Sequence, residues 1–372
     1  MRWILISAIL LFLAGCTSEI DINQGDNLTS EGFESEVIFN DLSNPWGMSF
    51  ISKNELLLTQ KNKGLLLLDL EGLEKSEILG LPDFIKPGQG GLLDVYYHEG
   101  FVYLTYVAEN EDHHSTRLGK GLLNKEDLTL ENFEIMHISS PALSGGSHFG
   151  SRILINDDYV YYTTGDRGRK DFGPDHVGQN TQNTLGTVIR LNINGSVPDN
   201  NPFLDNESVL DEIYTFGHRN PQGITLNNRS NDIWISDHGE NDGDEINILK
   251  AGANYGWPIA HMGCRYGTRL RFAESPFDLE NIENPIHYWD CGTGGFPPSG
   301  MTFYFGERYE ELQGNLLIGN LAGSYLGRFK VENESIEELN PLFEGERVRD
   351  VTVSLDDYIY FITDSGKLLK IK

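Results

Sequence analysis

The stretch GGSHFGSR, residues 145–152, sets a single histidine, His148, among glycines and serines. Glycine lets a backbone bend freely and lets another molecule come close, and an imidazole held there accepts a proton near neutral pH. One hairpin later TTGDRGRKD carries Asp166, Arg167 and Arg169. A histidine with an aspartate nearby is a general base with its orienting partner. YTFGHRNPQGI then brings His218, Arg219 and Asn220 ahead of Pro221, and ERVRDV brings Arg347 and Arg349. The last two are two residues apart and so share one side of a strand. Together with Arg219 they form a cationic cluster suited to a planar ligand with several carboxylates, because guanidinium binds carboxylate bidentately.

A fourth loop, SDHGENDGDEINILKAGANYGWP, concentrates Asp237, Glu240, Asp242, Asp244 and Glu245 among glycines. Acidic and carbonyl oxygens suit a hard divalent cation such as Ca²⁺, although the spacing is not that of an EF-hand. Each feature alone has a plain alternative: a histidine in a turn, arginines in surface ion pairs, acids in a solvated loop. Together, on the loops of a repeating scaffold, they argue for a binding site.

The elements that must position these loops are strands. Short β-rich runs recur, each closed by Gly, Asn or Asp. INDDYVYYTTGD, NNRSNDIWISDHG and SLDDYIYFITDSG are variations on one plan: an apolar strand, an Asn/Asp turn, then an aromatic strand ending near Asp or Gly. Strand-and-turn repeats of roughly fifty residues imply propeller blades. The spacing predicts an all-β, six-bladed β-propeller of four-stranded antiparallel blades over residues 37–372, with a pair of β-sandwiches as the rival arrangement.

The N-terminus lies outside that fold. MRWILISAILLFLAGC has one basic residue, an apolar run and small residues before Cys16. It reads as an export signal over residues 1–16, too short for a stable transmembrane helix. LAGC resembles the bacterial lipobox, in which the cysteine becomes the lipidated first residue; the alternative is an ordinary signal cleaved near Ala14. Residues 17–36 have too little apolar content to pack and read as a tether. The chain is thus expected in the bacterial cell envelope, held to a membrane by lipid alone and facing the periplasm, with the outer membrane as its expected site. Cys264 and Cys291 remain, and in an exported chain they suggest a disulfide, with a pair of free buried thiols as the alternative. Among 372 residues, 28 Lys and Arg face 56 Asp and Glu, a net charge of −28. A field of that sign repels phosphate backbones and disfavours nucleic acid as a partner.

From NPWGMSF at Asn44 to the C-terminal FITDSGKLLKI, the chain resembles the PQQ-dependent soluble glucose and aldose sugar dehydrogenases, the glucose/sorbosone dehydrogenase family. HFGSR, GHRNPQG, GDEIN and NYGWP carry the likeness, with SVPDNNPF and VRDV added. The resemblance implies a six-bladed propeller holding PQQ on one face and oxidising an aldose at C1 to the lactone. It implies His148 as general base, Asp166 as its orienting carboxylate and Arg219 as the residue polarising the reacting carbonyl. Gln89, Asn220, Arg347 and Arg349 match residues around the cofactor. Gly239 and Glu240 match carbonyl ligands of a Ca²⁺ beside PQQ, and Glu245 and Tyr255 match a second, structural Ca²⁺ site. Electrons would pass to a quinone or cytochrome acceptor.

Three positions depart from the family pattern. Ala322, in GNLAGSY, stands where a PQQ-contacting lysine is usual; Glu240 replaces a proline; Thr187 replaces a lysine. Trp289 reads either as a cover for the ligand or as a core residue. Two other classes fit parts of the sequence: a propeller lipoprotein without chemistry that binds carbohydrate or protein, and a calcium-dependent lactonase.

Overall fold

The structure, a computed structural model, describes residues 27–30 and 32–372. The export signal, Cys16 and the tether up to residue 26 lie outside the described residues. The chain forms six antiparallel sheets arranged as a six-bladed propeller. Strands carry almost all the regular structure, and the three helical turns are short 3₁₀ segments. Among the described residues no helix is long and apolar enough to cross a membrane.

Each blade starts at the axis and runs outward in sequence order. Blade 1 is Pro45–Phe50, Glu55–Gln60, Gly64–Asp69 and Glu74–Ile78. Its second strand buries Leu56, Leu57 and Leu58 completely. A strand covered on both faces by neighbouring blades needs a continuous apolar run instead of an alternating one, and ELLLTQ is such a run. Blades 2 to 5 repeat the plan, with first strands Leu92–His98, Ile153–Asn156, Pro221–Asn227 and Pro298–Phe303.

Blade 6 closes the ring from both chain ends. Val348–Val353, Ile359–Thr363 and Leu368–Ile371 take their outer strand from Phe33–Phe39, with Ser35 opposite Ile371 and Val37 opposite Leu369. Pairing therefore begins earlier than composition suggests, and residues 33–36, read above as tether, are strand. In FESEVIF the buried Phe33, Ser35, Val37 and Phe39 alternate with more exposed neighbours. The glutamates lie on the open side of a half-buried strand and mask its apolar face in a composition count. Thr29–Ser30 adds a short fifth strand at this edge.

First strands of neighbouring blades pack against one another around the axis. At one level of this ring a buried guanidinium meets two buried carboxylates: Arg152 Nη1 lies 3.2 Å from Asp94 Oδ1 and 3.0 Å from Asp350 Oδ1. Room for them comes from neighbouring glycines. A Cβ on Gly47 would lie 2.3 Å from Asp94 Oδ1, and one on Gly300 1.7 Å from Asp350 Oδ1. Burial pushes Asp94 upward and Asp350 up to about 7, against the pull of Arg152. The same arginine donates from Nη2 to the Arg349 carbonyl at 2.9 Å and from Nε to the Gln222 carbonyl at 2.8 Å. The axial plug thereby fixes backbone that reaches the loop face of the propeller.

Candidate active site

Loops entering the first strands and loops leaving the second strands meet around a cavity of about 480 Å³. The entering loops supply Gln89, His148, Arg219, Asn220 and Arg347, the first strand of blade 6 supplies Arg349, and the leaving loops supply Lys61, Gly239, Glu240 and Ala322. Segments far apart in sequence converge because every blade points the same two loops at the same end of the axis.

His148 sits at φ 51°, in the left-handed region. The close approach beneath it requires Gly165, where a Cβ would lie 2.3 Å from the His148 carbonyl oxygen. Two hydrogen bonds fix the residue, and Arg167 fixes its loop. The His148 N–H donates to Gln89 Oε1 at 2.8 Å, and its ring Nδ1 meets Asp166 Oδ1 at 2.6 Å. Arg167 staples the loop from below, donating to the carbonyls of Gly145 and His114 at 2.9 and 3.1 Å. Arg167 is thus structural, and Arg169 pairs at the surface with Asp171.

Asp166 is fully buried, and burial alone would disfavour its charge. The hydrogen bond from His148, the positive charge of Arg219 and the Gly168 N–H oppose burial, and the carboxyl is held below its ordinary range. Its other oxygen accepts from Trp257 Nε1 at 2.8 Å. Asp166 is therefore an anion whose partners are all in place, and the ring of His148 has one fixed orientation. That leaves His148 Nε2 as the nitrogen able to take a proton.

Arg219 lies beside this pair. It donates to Glu240 Oε2 at 2.8 Å, and Lys170 meets the same carboxylate at 2.7 Å. Its Nε is buried with no partner, an orphaned donor of the kind an acceptor-bearing ligand satisfies. The backbone around Arg219 is set by Asp237, whose two oxygens accept from the N–H groups of Arg219 and Asn220 at 3.0 and 2.7 Å. Asn220 Oδ1 accepts from Gly150 N–H at 3.1 Å. Arg347 and Arg349 converge on one carboxylate, Asp364, at 3.0 and 2.9 Å. Burial works against the charge of Asp364, yet the two guanidinium groups keep its pKa low. Two cations on one anion leave a surplus positive charge at the cavity wall.

The acidic loop divides into distinct environments. The Glu240 side chain is engaged by Arg219 and Lys170, while the Gly239 and Glu240 carbonyls receive no hydrogen bond among the described residues. Asp244 orders the turn, accepting from the N–H groups of Gly239 and Phe296, and burial raises it to about 6. Glu245 and Tyr255 lie together against a much smaller cavity. Burial, then the charge of Asp237, pushes Glu245 up to about 8. The Tyr255 hydroxyl donates to the Ile248 carbonyl at 2.5 Å, and its ring stacks on His218 at 4.7 Å. Among the described residues no group of three or more His, Cys, Asp or Glu side chains is gathered to hold a metal. A cation at the main cavity would therefore rest on main-chain oxygens, which a hard ion accepts.

Cys264 and Cys291 form a disulfide with a sequence separation of 27. It fastens the segment that carries Tyr266, Gly294 and Gly295 to the cavity rim. Trp289 is half-buried and packs against the core away from the main cavity, stacking on Phe296 at 4.5 Å and meeting Phe329 edge-on. Thr187 is buried in blade 3, its hydroxyl on the Thr184 carbonyl. Ala322 lines the main cavity. Sequence reasoning missed Lys61, Trp257 and Asp364. Once the strands are placed, Gln60, Asp166, Asp237, Asn320 and Asp364 all fall at the ends of second strands or within one turn beyond, a regularity that appears only with the strand ends in hand.

The Glucose / Sorbosone dehydrogenase family profile matches residues 42–370. The aldose sugar dehydrogenase YliI of Escherichia coli (strain K12) is 33% identical over 349 residues, covering 90% of this chain and 92% of that one. Quinoprotein glucose dehydrogenase B of Acinetobacter calcoaceticus is 30% identical over 445 residues, covering 97% and 92%. A glucose dehydrogenase crystal structure superposes with a TM-score of 0.84 at 34% identity, covering 90% of this chain and 98% of the other. The chain belongs to the glucose/sorbosone dehydrogenase family of oxidoreductases.

Proposed function

We propose that the protein oxidises the C1 hydroxyl of an aldose to the lactone, with PQQ as electron acceptor and Ca²⁺ beside it. The observation that carries the reading is the His148–Asp166 bond at 2.6 Å, set in the wall of an arginine-lined cavity. Oxidation at C1 removes a hydride from carbon and a proton from oxygen. His148 Nε2 takes the proton, and Asp166 stabilises the imidazolium that results. When bound, PQQ supplies an electron-poor quinone that accepts the hydride equivalent, which no side chain of the protein can do.

The residues present fit such a group. Its carboxylates would be held by Arg347 and Arg349, whose charge Asp364 only partly balances, and its quinone oxygens by Arg219, Asn220 and Gln89. The Gly239 and Glu240 carbonyls would hold Ca²⁺, while Glu245 and Tyr255 would contribute to a second, structural Ca²⁺ site. Arg219 would supply positive charge to a quinone oxygen of such a group as negative charge develops there. The electrons would then pass to a quinone or cytochrome of the envelope, to which lipid on Cys16 would tether the protein. Replacing Cys16 by Ser should abolish incorporation of labelled fatty acid into the protein, and continued labelling would contradict the anchor.

Reconstitution tests the activity. Residues 27–372 are incubated with PQQ and Ca²⁺, and aldose-dependent reduction of an artificial electron acceptor is followed. Reduction that requires both PQQ and Ca²⁺ is expected. Absence of PQQ binding at micromolar cofactor would overturn the enzymatic reading in favour of a binding module.

A further inference from the structure

Four cationic side chains line the cavity: Lys61, Arg219, Arg347 and Arg349. Three of them meet carboxylates of the protein, Arg219 at Glu240 and the other two at Asp364. Lys61 meets none. Its Nζ makes no ion pair and no hydrogen bond among the described residues, although the residue is half-buried. Burial, then the neighbouring Arg349, lowers its pKa, with only a weaker opposing effect from Asp364. A lysine removed from water and left beside an arginine is unfavourable in the free protein. An anionic ligand relieves that cost.

The backbone presents this lysine deliberately to the cavity. Its N–H donates to the Asn44 carbonyl at 2.9 Å, and its own carbonyl accepts from Leu92 N–H at 3.0 Å. Its stem runs over Gly91, where a Cβ would lie 2.6 Å from Lys61 Cγ and only 2.2 Å from the carbonyl oxygen. Lys61 directly follows Gln60, the last residue of the second strand in blade 1. Ala322, two residues past the end of the second strand of blade 5, lines the same cavity and offers no charge. The cavity thus holds one unpaired ammonium, on a different blade from the position that lacks one.

We propose that Lys61 is a ligand-binding residue of this cavity, donating to an anionic oxygen of bound PQQ and supplying the ammonium that Ala322 does not. The inference rests on the cofactor assignment above and adds a residue that neither the motifs nor the resemblance singled out.

The test measures PQQ binding at equilibrium by quenching of tryptophan fluorescence, in the full chain with Ca²⁺, for the wild type, Lys61→Met and Lys61→Arg. Met keeps the aliphatic stem on Gly91 and removes only the charge. A charge-assisted hydrogen bond contributes about 1.5–3 kcal/mol, so Lys61→Met should weaken binding roughly 10- to 100-fold. Lys61→Arg should stay within a few-fold of wild type, and the salt dependence of binding should fall in the Met variant. Binding by Lys61→Met within twofold of the wild type would overturn the role of Lys61 while leaving the cofactor assignment intact. A wild type that binds no PQQ would overturn that assignment, and the role of Lys61 with it. Thermal melts of the free proteins separate a folding defect from a binding one: relief of an unpaired charge should leave Lys61→Met at least as stable as wild type.

Discussion

Trp257 donates its indole N–H to Asp166 at 2.8 Å, on the carboxylate oxygen that His148 does not use. Trp257 belongs to the NYGWP segment that follows blade 4's third strand, Glu245–Ile248, whereas Asp166 follows blade 3's second strand, Tyr159–Thr163. The carboxylate that orients His148 is therefore held from a neighbouring blade, and His148 is oriented through two successive hydrogen bonds.

Trp257→Phe keeps the ring and removes that bond. A hydrogen bond to a charged group is worth about 1.5–3 kcal/mol, so kcat of the reconstituted enzyme should fall at least about tenfold. Asp166 loses a donor to its charged form and its pKa rises, so the acid limb of the pH–rate profile should move to higher pH. An unchanged pH profile would show that the indole acts by packing alone.

The axial plug predicts a pH dependence of stability. Asp350 has a folded pKa of about 7, raised above its ordinary value of 3.8 chiefly by burial. A carboxyl whose folded pKa is raised binds its proton more tightly in the native state. Its contribution is therefore most favourable below pH 4 and is lost as pH rises through 7. Urea melts of wild type and Asp350→Asn at pH 5 and pH 8 should show the variant gaining relative stability at the higher pH. A constant difference between them would contradict a shifted Asp350.

Arg152→Met tests the other half of the plug. Removing one partner leaves Asp94 and Asp350 buried without their cation, a change that costs about 3–5 kcal/mol in comparable sites. Loss of less than 1 kcal/mol in a urea melt would mean that both acids are already neutral and that the arginine does not hold them. PQQ binding should weaken as well, because Arg152 fixes the backbone of Arg349.

The Cys264–Cys291 bond closes a loop with a sequence separation of 27, for which chain entropy predicts about 3–4 kcal/mol of stabilisation. Cys291→Ser should lower the unfolding free energy by that amount. Equal urea midpoints with and without a reducing agent would place the stability of this segment elsewhere, in its packing against blade 4.

The fold was legible because its repeat is local: INDDYVYYTTGD and its relatives are each one hairpin of one blade. Charged residues on an open face hid the strand at 33–36, since FESEVIF shows its pattern only once Ser35 is counted as buried. His148 and Asp166 were readable because they sit on adjacent loops of one blade. Asp364 and Trp257 were not, since their roles depend on which loops the ring brings together. Lys61 was hidden differently. LLLTQK is an ordinary end to a strand, and only the closed ring shows that this lysine meets no acid. The Pro-x-Gly openings of PWGMSF, PQGITL and PSGMTF mark inner strands, and Gly47 and Gly300 mark the room left for Asp94 and Asp350.

The most direct test of the central claim is single-turnover reduction of bound PQQ by an aldose, compared between wild type and His148→Ala. Removing a general base typically costs about 10²–10⁴ in rate. The account predicts a loss in that range, with PQQ still bound at an affinity within a few-fold of wild type. Reduction by His148→Ala at a rate within a few-fold of wild type would contradict it.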